Sequence, residues 1–169
     1  MSNYVCIPTT ITDPNYRYKM PQMKLSQESR LNGVKTNISN LPDVARALRV
    51  PDSAILKYFC AEVGANSEGT TIVKGQHVLG DLEKHLNKFI MKYVCCSKCK
   101  LPEITHEVNK KNLVGVCRSC GATNNKMDNV HKAGKQLIKD IPTYYAANPE
   151  FVNTRQPGQQ AMQDVSSTN

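Results

Sequence analysis

The chain contains 169 residues, and its 22 Lys and Arg against 14 Asp and Glu give a formal net charge of +8. Hydrophobic residues make up 40% of the sequence, which is enough for a core and argues against a wholly disordered chain. The sequence opens without a secretory signal, and no apolar run approaches the roughly 18 residues of a membrane span. We therefore expect a soluble intracellular protein. Its positive charge favours an acidic partner, with RNA or DNA a better candidate than a membrane surface.

The first 21 residues contain three prolines among Thr and Asn, and they predict an extended arm rather than a packed element. The arm ends on Tyr16-Arg17-Tyr18-Lys19-Met20-Pro21, in which aromatic and basic side chains alternate. Alternating apolar residues between positions 22 and 38 then predict a hairpin of two half-buried strands. A polar loop from Ser26 to Asn32, carrying Arg30, is expected to join them.

Two short helices follow, each indicated by apolar residues that recur at steps of three and four. The first is expected from Leu41 to Leu48, ahead of Pro51, and the second reaches Val63 with Gly64 as the residue after its end. Two helices joined by about three residues resemble a helix-turn-helix. A strand at 70–74 and a long amphipathic helix at 79–94 complete the expected α/β core.

Four cysteines form two C-x-x-C pairs, Cys96 with Cys99 and Cys117 with Cys120, separated by seventeen residues. Each C-x-x-C turn aims two sulfurs at one point, and four thiolates complete a tetrahedral Zn²⁺ site with no open position. The spacing therefore predicts one structural zinc ion in a zinc ribbon. Two disulfides or four free thiols are the alternative, which an intracellular chain disfavours. The adjacent Cys95 is expected to point away as a spare thiol.

Four regions result: an arm (1–21), an α/β core (22–94), a zinc ribbon with a C-terminal helix (95–142) and a disordered polar tail (143–169). The expected fold class is α+β, a small α/β core with helix-turn-helix-like helices followed by a four-cysteine zinc ribbon, with disordered tails. The sequence motifs of nucleotide hydrolases, dehydrogenases and metalloproteases are absent, which argues against a self-contained enzyme of these classes.

Several short motifs occur in an order that is similar to one protein family. They are Tyr16-Arg17-Tyr18-Lys19-Met20-Pro21, Asn32-Gly33-Val34-Lys35-Thr36, Asp43-Val44-Ala45-Arg46-Ala47-Leu48, Leu56-Lys57-Tyr58-Phe59, Glu62-Val63-Gly64-Ala65, the C-x-x-C pairs, Met127-Asp128 and His131-Lys132. From about Tyr16 to Pro142 the chain resembles the amino-terminal domain of eukaryotic translation initiation factor 5. Zinc ribbons alone are common, whereas the arm motif followed in order by the others is highly specific.

The resemblance implies a cytoplasmic, monomeric activator of GTP hydrolysis by initiation factor 2, with no nucleotide-hydrolysing motif of its own. By this similarity Arg17 matches the arginine supplied in trans, and Lys35 and Lys57 match supporting lysines that could equally hold RNA phosphate. The implied partners are the γ subunit of factor 2, initiator tRNA, small-subunit ribosomal RNA and mRNA, and no membrane. Arg30 and Asn32 are the candidate RNA contacts in start-codon selection.

Two other functions remain open at this point. The β subunit of factor 2 has the same core and ribbon, and a protein of that kind would bind RNA and tRNA without activating hydrolysis. A decoy that binds ribosomes without activating anything is the other possibility. Factor 5 normally continues into a helical-repeat domain that docks other factors, whereas this sequence continues after Pro142 as a polar stretch.

Overall fold

The computed structural model describes residues 4–30, 33–123 and 125–149. In these ranges the strands are β1 (Tyr4–Cys6), β2 (Lys19–Pro21), β3 (Leu25–Arg30), β4 (Gly33–Ile38), β5 (Ser67–Glu68), β6 (Ile72–Lys74), β7 (Ile104–Asn109), β8 (Asn112–Cys117) and β9 (Asn125–Lys126). The helices are α1 (Leu41–Leu48), α2 (Asp52–Val63), α3 (Leu79–Tyr93) and α4 (Lys132–Ala147). This mixture of helices and antiparallel sheets confirms the α+β class.

The N-terminal segment is a packed hairpin, so the predicted extended arm is wrong. Strands β1 and β2 pair antiparallel, with Val5 opposite Met20. Met20 is 1% exposed and Ile7 is 3% exposed, because both side chains enter the main core. We call the segment that joins these strands, residues 7–18, the arginine loop.

The central sheet has the strand order β3-β4-β6-β5, and all neighbouring pairs are antiparallel. Its first two strands confirm the predicted hairpin, but their register runs from Leu25 opposite Ile38 to Arg30 opposite Gly33. The predicted polar loop from Ser26 to Asn32 is therefore mostly strand. Polar residues occupy this strand because pairing to β4 satisfies its backbone while most of its side chains remain at the surface.

Helix α1 covers the predicted range, α2 ends at Val63 as predicted, and residues 49–51 join the two helices. Pro51 precedes the first residue of α2, where its fixed φ suits a helix entrance. Gly64 follows α2 at φ +69°, a left-handed conformation that closes helices readily when the residue is glycine. Buried residues of α1 and α2 and of α3 enter one hydrophobic cluster.

The four-cysteine region, residues 95–126, contains the three-stranded sheet β7-β8-β9. Its buried residues Ile104 and Leu113 belong to the same cluster as the central core, and so do Leu137 and Ile141 of α4. The core is therefore continuous across the described regions. Within those regions, none of the helices combines the length and apolar character needed to cross a bilayer.

Helix α4 continues past Pro142 to Ala147, so the predicted disordered tail is wrong for residues 143–147. Tyr145, in the last turn, packs against the core, which stabilises the helix beyond the proline. The remainder of the predicted tail, from residue 150 onward, lies outside the described residues, as does Asn32.

Candidate functional site

The four cysteines of the two C-x-x-C pairs meet at one point, as their spacing predicts. Their Sγ atoms all lie within 4.8 Å of one another. The distance from Cys96 Sγ to Cys120 Sγ is 3.6 Å, and Cys99 Sγ lies 3.6 Å from Cys117 Sγ. Each close pair thus joins one cysteine of the first turn to one of the second, so the two turns face each other.

Backbone amides in both turns point at sulfur. Lys98 N–H donates to Cys96 Sγ at 3.3 Å, and the amides of Ser119 and Cys120 donate to Cys117 Sγ at 3.3 and 3.4 Å. Burial alone would raise the pKa of the Cys96 thiol, but the amides and neighbouring thiols lower it to about 6. The first turn therefore stabilises negative charge on Cys96 Sγ, whereas burial raises the pKa of the Cys117 thiol in the second turn.

This donor set fits a zinc ion. Zinc–thiolate bonds of about 2.3 Å in a tetrahedron require sulfurs separated by roughly 3.8 Å, and the two measured pairs are close to that value. Four sulfur donors are also the chemistry that Zn²⁺ accepts in closed structural sites. The cluster could hold a metal ion, and the residues that would bind it are the four predicted ones.

The neighbouring Cys95 is buried outside the cluster, as predicted for a residue that points away. Burial raises the pKa of this thiol to about 11, and the adjacent Cys99 and Cys96 contribute to the rise. Cys60, on α2, is also buried and also has a raised pKa because of desolvation. Both side chains therefore pack in the core as neutral thiols.

The four-cysteine region is fixed to the core by contacts with α3 and α4. The Tyr93 hydroxyl, at the end of α3, donates to the main-chain oxygen of Asp128 at 2.8 Å. The Asp128 carboxylate accepts the amides of Val130 and His131 at 3.0 Å each, just before α4 begins. These bonds lower the pKa of Asp128, and Lys92 contributes through its charge. These hydrogen bonds fix the segment between the four-cysteine region and α4 to the end of α3.

Arg17 lies in the arginine loop with its side chain exposed. Its guanidinium carbon is 5.5 Å from the centre of the Tyr18 ring, a cation–π arrangement. Tyr16 and Tyr18, on either side of it, are half-buried, and their ring centres are 5.6 Å apart in an edge-to-face contact. The alternation of aromatic and basic residues therefore turns two tyrosines toward the protein and one arginine toward solvent.

The same loop is anchored at a second point by α3. The Thr9 amide donates to the Asn87 side-chain oxygen at 3.0 Å, and the Asn87 amide donates to the Thr9 hydroxyl at 2.7 Å. Ile7 N–H donates to Tyr18 O at 3.0 Å, which closes the loop on itself. A loop held in this way can present Arg17 with little conformational freedom to lose.

The lysines predicted to support Arg17 lie on different elements from it. Lys35, on β4, forms an ion pair with Glu68 of β5, and its side chain is 18% exposed. Lys57, on α2, is exposed. Arg30 is the last residue of β3, but its side chain and all of Asn32 lie outside the described residues. Of the predicted site residues, the structure therefore brings together the four cysteines and leaves Arg17, Lys35 and Lys57 on separate elements.

Comparison with known proteins identifies the family. The sequence model of a domain found in initiation factors 2B and 5 matches residues 8–123. The chain belongs to this family. It resembles eukaryotic translation initiation factor 5 of Saccharomyces cerevisiae, with 39% identity over 136 residues, which is 77% of this chain and 33% of the relative. The Caenorhabditis elegans factor 5 is 37% identical over 137 residues, which cover 78% of this chain and 31% of the relative. The Mus musculus factor 5 is 37% identical over 145 residues, which cover 82% of this chain and 34% of the relative.

These findings confirm the resemblance to the amino-terminal domain of factor 5 that the ordered motifs indicate. The chain spans about one third of the length of the curated relatives that it matches. One ion pair is not indicated by the sequence: Arg118 Nη2, between Cys117 and Cys120, lies 3.2 Å from a carboxylate oxygen of Glu103, between the two cysteine pairs. Their pairing was not predicted because a charged residue beside a C-x-x-C motif is equally compatible with an exposed position.

Proposed function

We propose that this domain is a translation initiation factor 5-like activator of GTP hydrolysis by initiation factor 2 in the cytoplasmic pre-initiation complex, where it aids start-codon selection. The observation that carries the proposal is the exposed Arg17 on an anchored loop, within a chain of the factor 5 family. The domain supplies a side chain to another protein's nucleotide site and hydrolyses no nucleotide itself.

The chemistry suits an arginine supplied in trans. Charge develops on the phosphoryl oxygens as GTP is hydrolysed, and a guanidinium that neutralises it accelerates the reaction by roughly 10³- to 10⁵-fold. Arg17 can reach outward because the two tyrosines beside it take the packing contacts. Lys57 is exposed and can add positive charge at the same interface, whereas Lys35 must first give up its ion pair with Glu68.

The cysteine cluster is proposed to be a structural zinc site in a zinc ribbon. Cys96, Cys99, Cys117 and Cys120 would hold one Zn²⁺, which supplies a cross-link and no reaction chemistry because four thiolates leave no open position. The metal would thereby hold the two cysteine turns together at the ends of β7 and β8.

The partners of this activity would be the γ subunit of factor 2, initiator tRNA, ribosomal RNA of the small subunit and mRNA. The net charge of +8 favours association with RNA phosphate, and Arg30 and Asn32 are the proposed contacts. RNA binding that depends on such contacts weakens steeply as salt is raised, so a salt titration of binding to small subunits tests this part.

Single-turnover GTP hydrolysis tests the function. Complexes of small subunit, mRNA, factor 2, GTP and initiator tRNA are mixed with the domain, and phosphate release is followed in time. Acceleration supports the proposal. Binding to the ribosome without acceleration would instead indicate a decoy. Stable stoichiometric capture by the isolated γ subunit, again without acceleration, would indicate a module of the β-subunit kind.

A further inference from the structure

Asn87, on α3, clamps the arginine loop through two hydrogen bonds to one residue. The Thr9 amide donates to Asn87 Oδ1 at 3.0 Å, and Asn87 Nδ2 donates to the Thr9 hydroxyl at 2.7 Å. Each residue is thus both a donor and an acceptor, and both are half-buried. Two bonds between one pair of residues fix orientation as well as distance, so Thr9 is held in one position on α3.

The same face of α3 contacts the chain again beyond the hairpin. Gln22 directly follows β2, and its Nε2 donates to Glu83 Oε1 at 3.1 Å. Residues four apart in a helix lie on one face, so Glu83 and Asn87 are neighbours on the surface of α3. Arg17 lies between Thr9 and Gln22 in the sequence, and α3 therefore holds the chain on both sides of it.

A short path connects the clamp to Arg17. Ile7, two residues before Thr9, is buried and donates its amide to Tyr18 O at 3.0 Å. Tyr18 directly follows Arg17, so a single hydrogen bond links the clamped segment to the residue beside the arginine. A change in the position of Thr9 is therefore transmitted to the backbone that carries Arg17.

The turn that precedes Arg17 is bonded within the hairpin. The Tyr16 amide donates to Asp13 O at 3.1 Å, and Lys19 Nζ donates to Pro14 O at 2.8 Å. These bonds give the turn a defined shape of its own. We therefore expect the residues beside Arg17 to move together when an attachment of the loop is released.

The loop has room to move once it is released from α3. A cavity of about 410 Å³ opens beside the clamp, and it is lined by Thr10 of the loop and by His85 and Lys88 of α3. Open space supplies no packing contacts that could hold the loop in place of the hydrogen bonds. The position of the loop beside this cavity therefore depends on Asn87.

We propose that Asn87 is a positioning residue for Arg17, because its clamp on Thr9 sets where the arginine loop presents the guanidinium. For its effect on hydrolysis this inference rests on the proposed function, whereas the clamp itself is a property of the free domain. A misplacement of about 1 Å can cost roughly 10²-fold in rate, so a modest shift of the loop weakens an arginine supplied in trans.

Three substitutions on α3 test the clamp. Asn87→Leu removes both hydrogen bonds and introduces a better helix former, so helix propensity does not weaken α3. Asn87→Asp keeps both bonds, because one carboxylate oxygen accepts from the Thr9 amide and the other accepts from the Thr9 hydroxyl, which then donates. Lys88→Leu is the matched control, since it places the same side chain at the next, exposed position of the helix.

The first measurement is amide hydrogen exchange of the free, full-length chain, followed residue by residue by NMR. We expect the Thr9 amide, which loses its acceptor, and the Tyr16 amide to exchange roughly tenfold faster in Asn87→Leu. Both amides should exchange as in the wild type in Asn87→Asp and in Lys88→Leu. Exchange in α2 should be unchanged in all variants, which distinguishes local release from general destabilisation.

Two exchange results would overturn the proposal. Wild-type exchange of the Tyr16 amide in Asn87→Leu would do so even if Thr9 exchanges faster, because release of the clamp would then not reach the turn before Arg17. Faster exchange throughout α2 would also do so, since Asn87 would then stabilise the whole domain rather than the loop.

The second measurement is single-turnover GTP hydrolysis over a range of domain concentrations, with Arg17→Ala alongside. Positioning predicts that the rate at saturation falls roughly tenfold in Asn87→Leu while the half-saturating concentration stays within about twofold. The rate should return to near the wild-type value in Asn87→Asp and stay there in Lys88→Leu.

The possible hydrolysis results separate the positioning role from the proposed function. Full activity of Asn87→Leu with Arg17→Ala inactive, or a rate in Asn87→Asp as low as in Asn87→Leu, would refute the positioning role and leave the proposed function intact. Absence of stimulation by the wild type would refute the proposed function and the effect on hydrolysis, and the exchange result would still decide whether Asn87 holds the loop.

Discussion

Nε2 of His106, on β7, lies 2.5 Å from the main-chain oxygen of Tyr93, so a hydrogen bond from a buried imidazole joins the four-cysteine region to the end of α3. Because a carbonyl can only accept, Nε2 carries the proton. Nδ1 is then free to accept from the Tyr145 hydroxyl of α4 at 3.3 Å, and that hydroxyl accepts from the His106 amide at 2.9 Å. One neutral imidazole thus connects three elements.

This arrangement predicts a loss of stability in mild acid. Burial lowers the pKa of His106 from 6.5 to about 4. Between these values the unfolded chain takes up a proton that the folded chain does not, so stability is complete above pH 6.5 and declines as pH falls toward 4. From pH 7.5 to 5.5 the loss from this residue should be about 1.3 kcal/mol.

Urea unfolding of zinc-loaded protein at the two pH values measures this loss, and His106→Gln should reduce the difference by about that amount. The ring protons of His106, followed by NMR, should not shift between pH 7.5 and 5.5. A titration of this ring with a midpoint near 6.5 would show that His106 is not buried in its neutral form.

The zinc content of variants distinguishes the roles of two adjacent cysteines, Cys95 and Cys96. We expect the purified domain to contain one zinc per chain, Cys96→Ser to contain none, and Cys95→Ala to retain the full amount, because Cys96 lies in the cluster and Cys95 does not. Elemental analysis after dialysis checks all three. A stable fold without zinc, or loss of zinc in Cys95→Ala, would contradict the proposed ribbon.

Two glycines in helices are predicted to respond in opposite ways to alanine. A Cβ at Gly134 would lie 1.9 Å from the main-chain oxygen of Asp128 and 3.1 Å from the Tyr93 hydroxyl, so Gly134→Ala must push α4 away from this contact. Overpacking of this kind should lower the free energy of unfolding by about 3 kcal/mol.

Gly80, near the start of α3, has no atom within 4 Å of the corresponding position. Gly80→Ala should therefore change stability by less than about 1 kcal/mol, in the stabilising direction that helix propensity favours. Urea midpoints of the two variants provide the comparison. Equal midpoints would mean that α4 does not approach Asp128 as closely as described.

The sequence predicts the elements that local patterns determine. Apolar spacing with Pro51 and Gly64 at the boundaries was sufficient for α1 and α2, because caps and periodicity act within one helix. No local pattern predicts the N-terminal hairpin, since strands of three residues have no measurable period and the long loop of residues 7–18 separates them. The helix that passes Pro142 was also missed, because tertiary packing of Tyr145 outweighs the local preference to stop.

In the candidate site, too, features set by local sequence are predictable, whereas features set by tertiary contacts are not. The spacing of the cysteines predicts the cluster because the geometry of a C-x-x-C turn is local. The ion pair of Glu103 with Arg118 joins residues that are 15 positions apart in the chain, and no local pattern of charge indicates it. The role proposed for Arg17 rests on family resemblance, while its exposure and the anchoring of its loop come from the structure.

The most direct test of the account is the rate of single-turnover GTP hydrolysis with Arg17→Ala, compared with wild type and with Lys24→Ala. Lys24, between β2 and β3, is another exposed cation, and its substitution controls for the loss of one positive charge. We expect Arg17→Ala to lose at least roughly 10³-fold in stimulated rate, while Lys24→Ala stays near wild type and all three proteins remain folded. Stimulation by Arg17→Ala equal to that of wild type would contradict it.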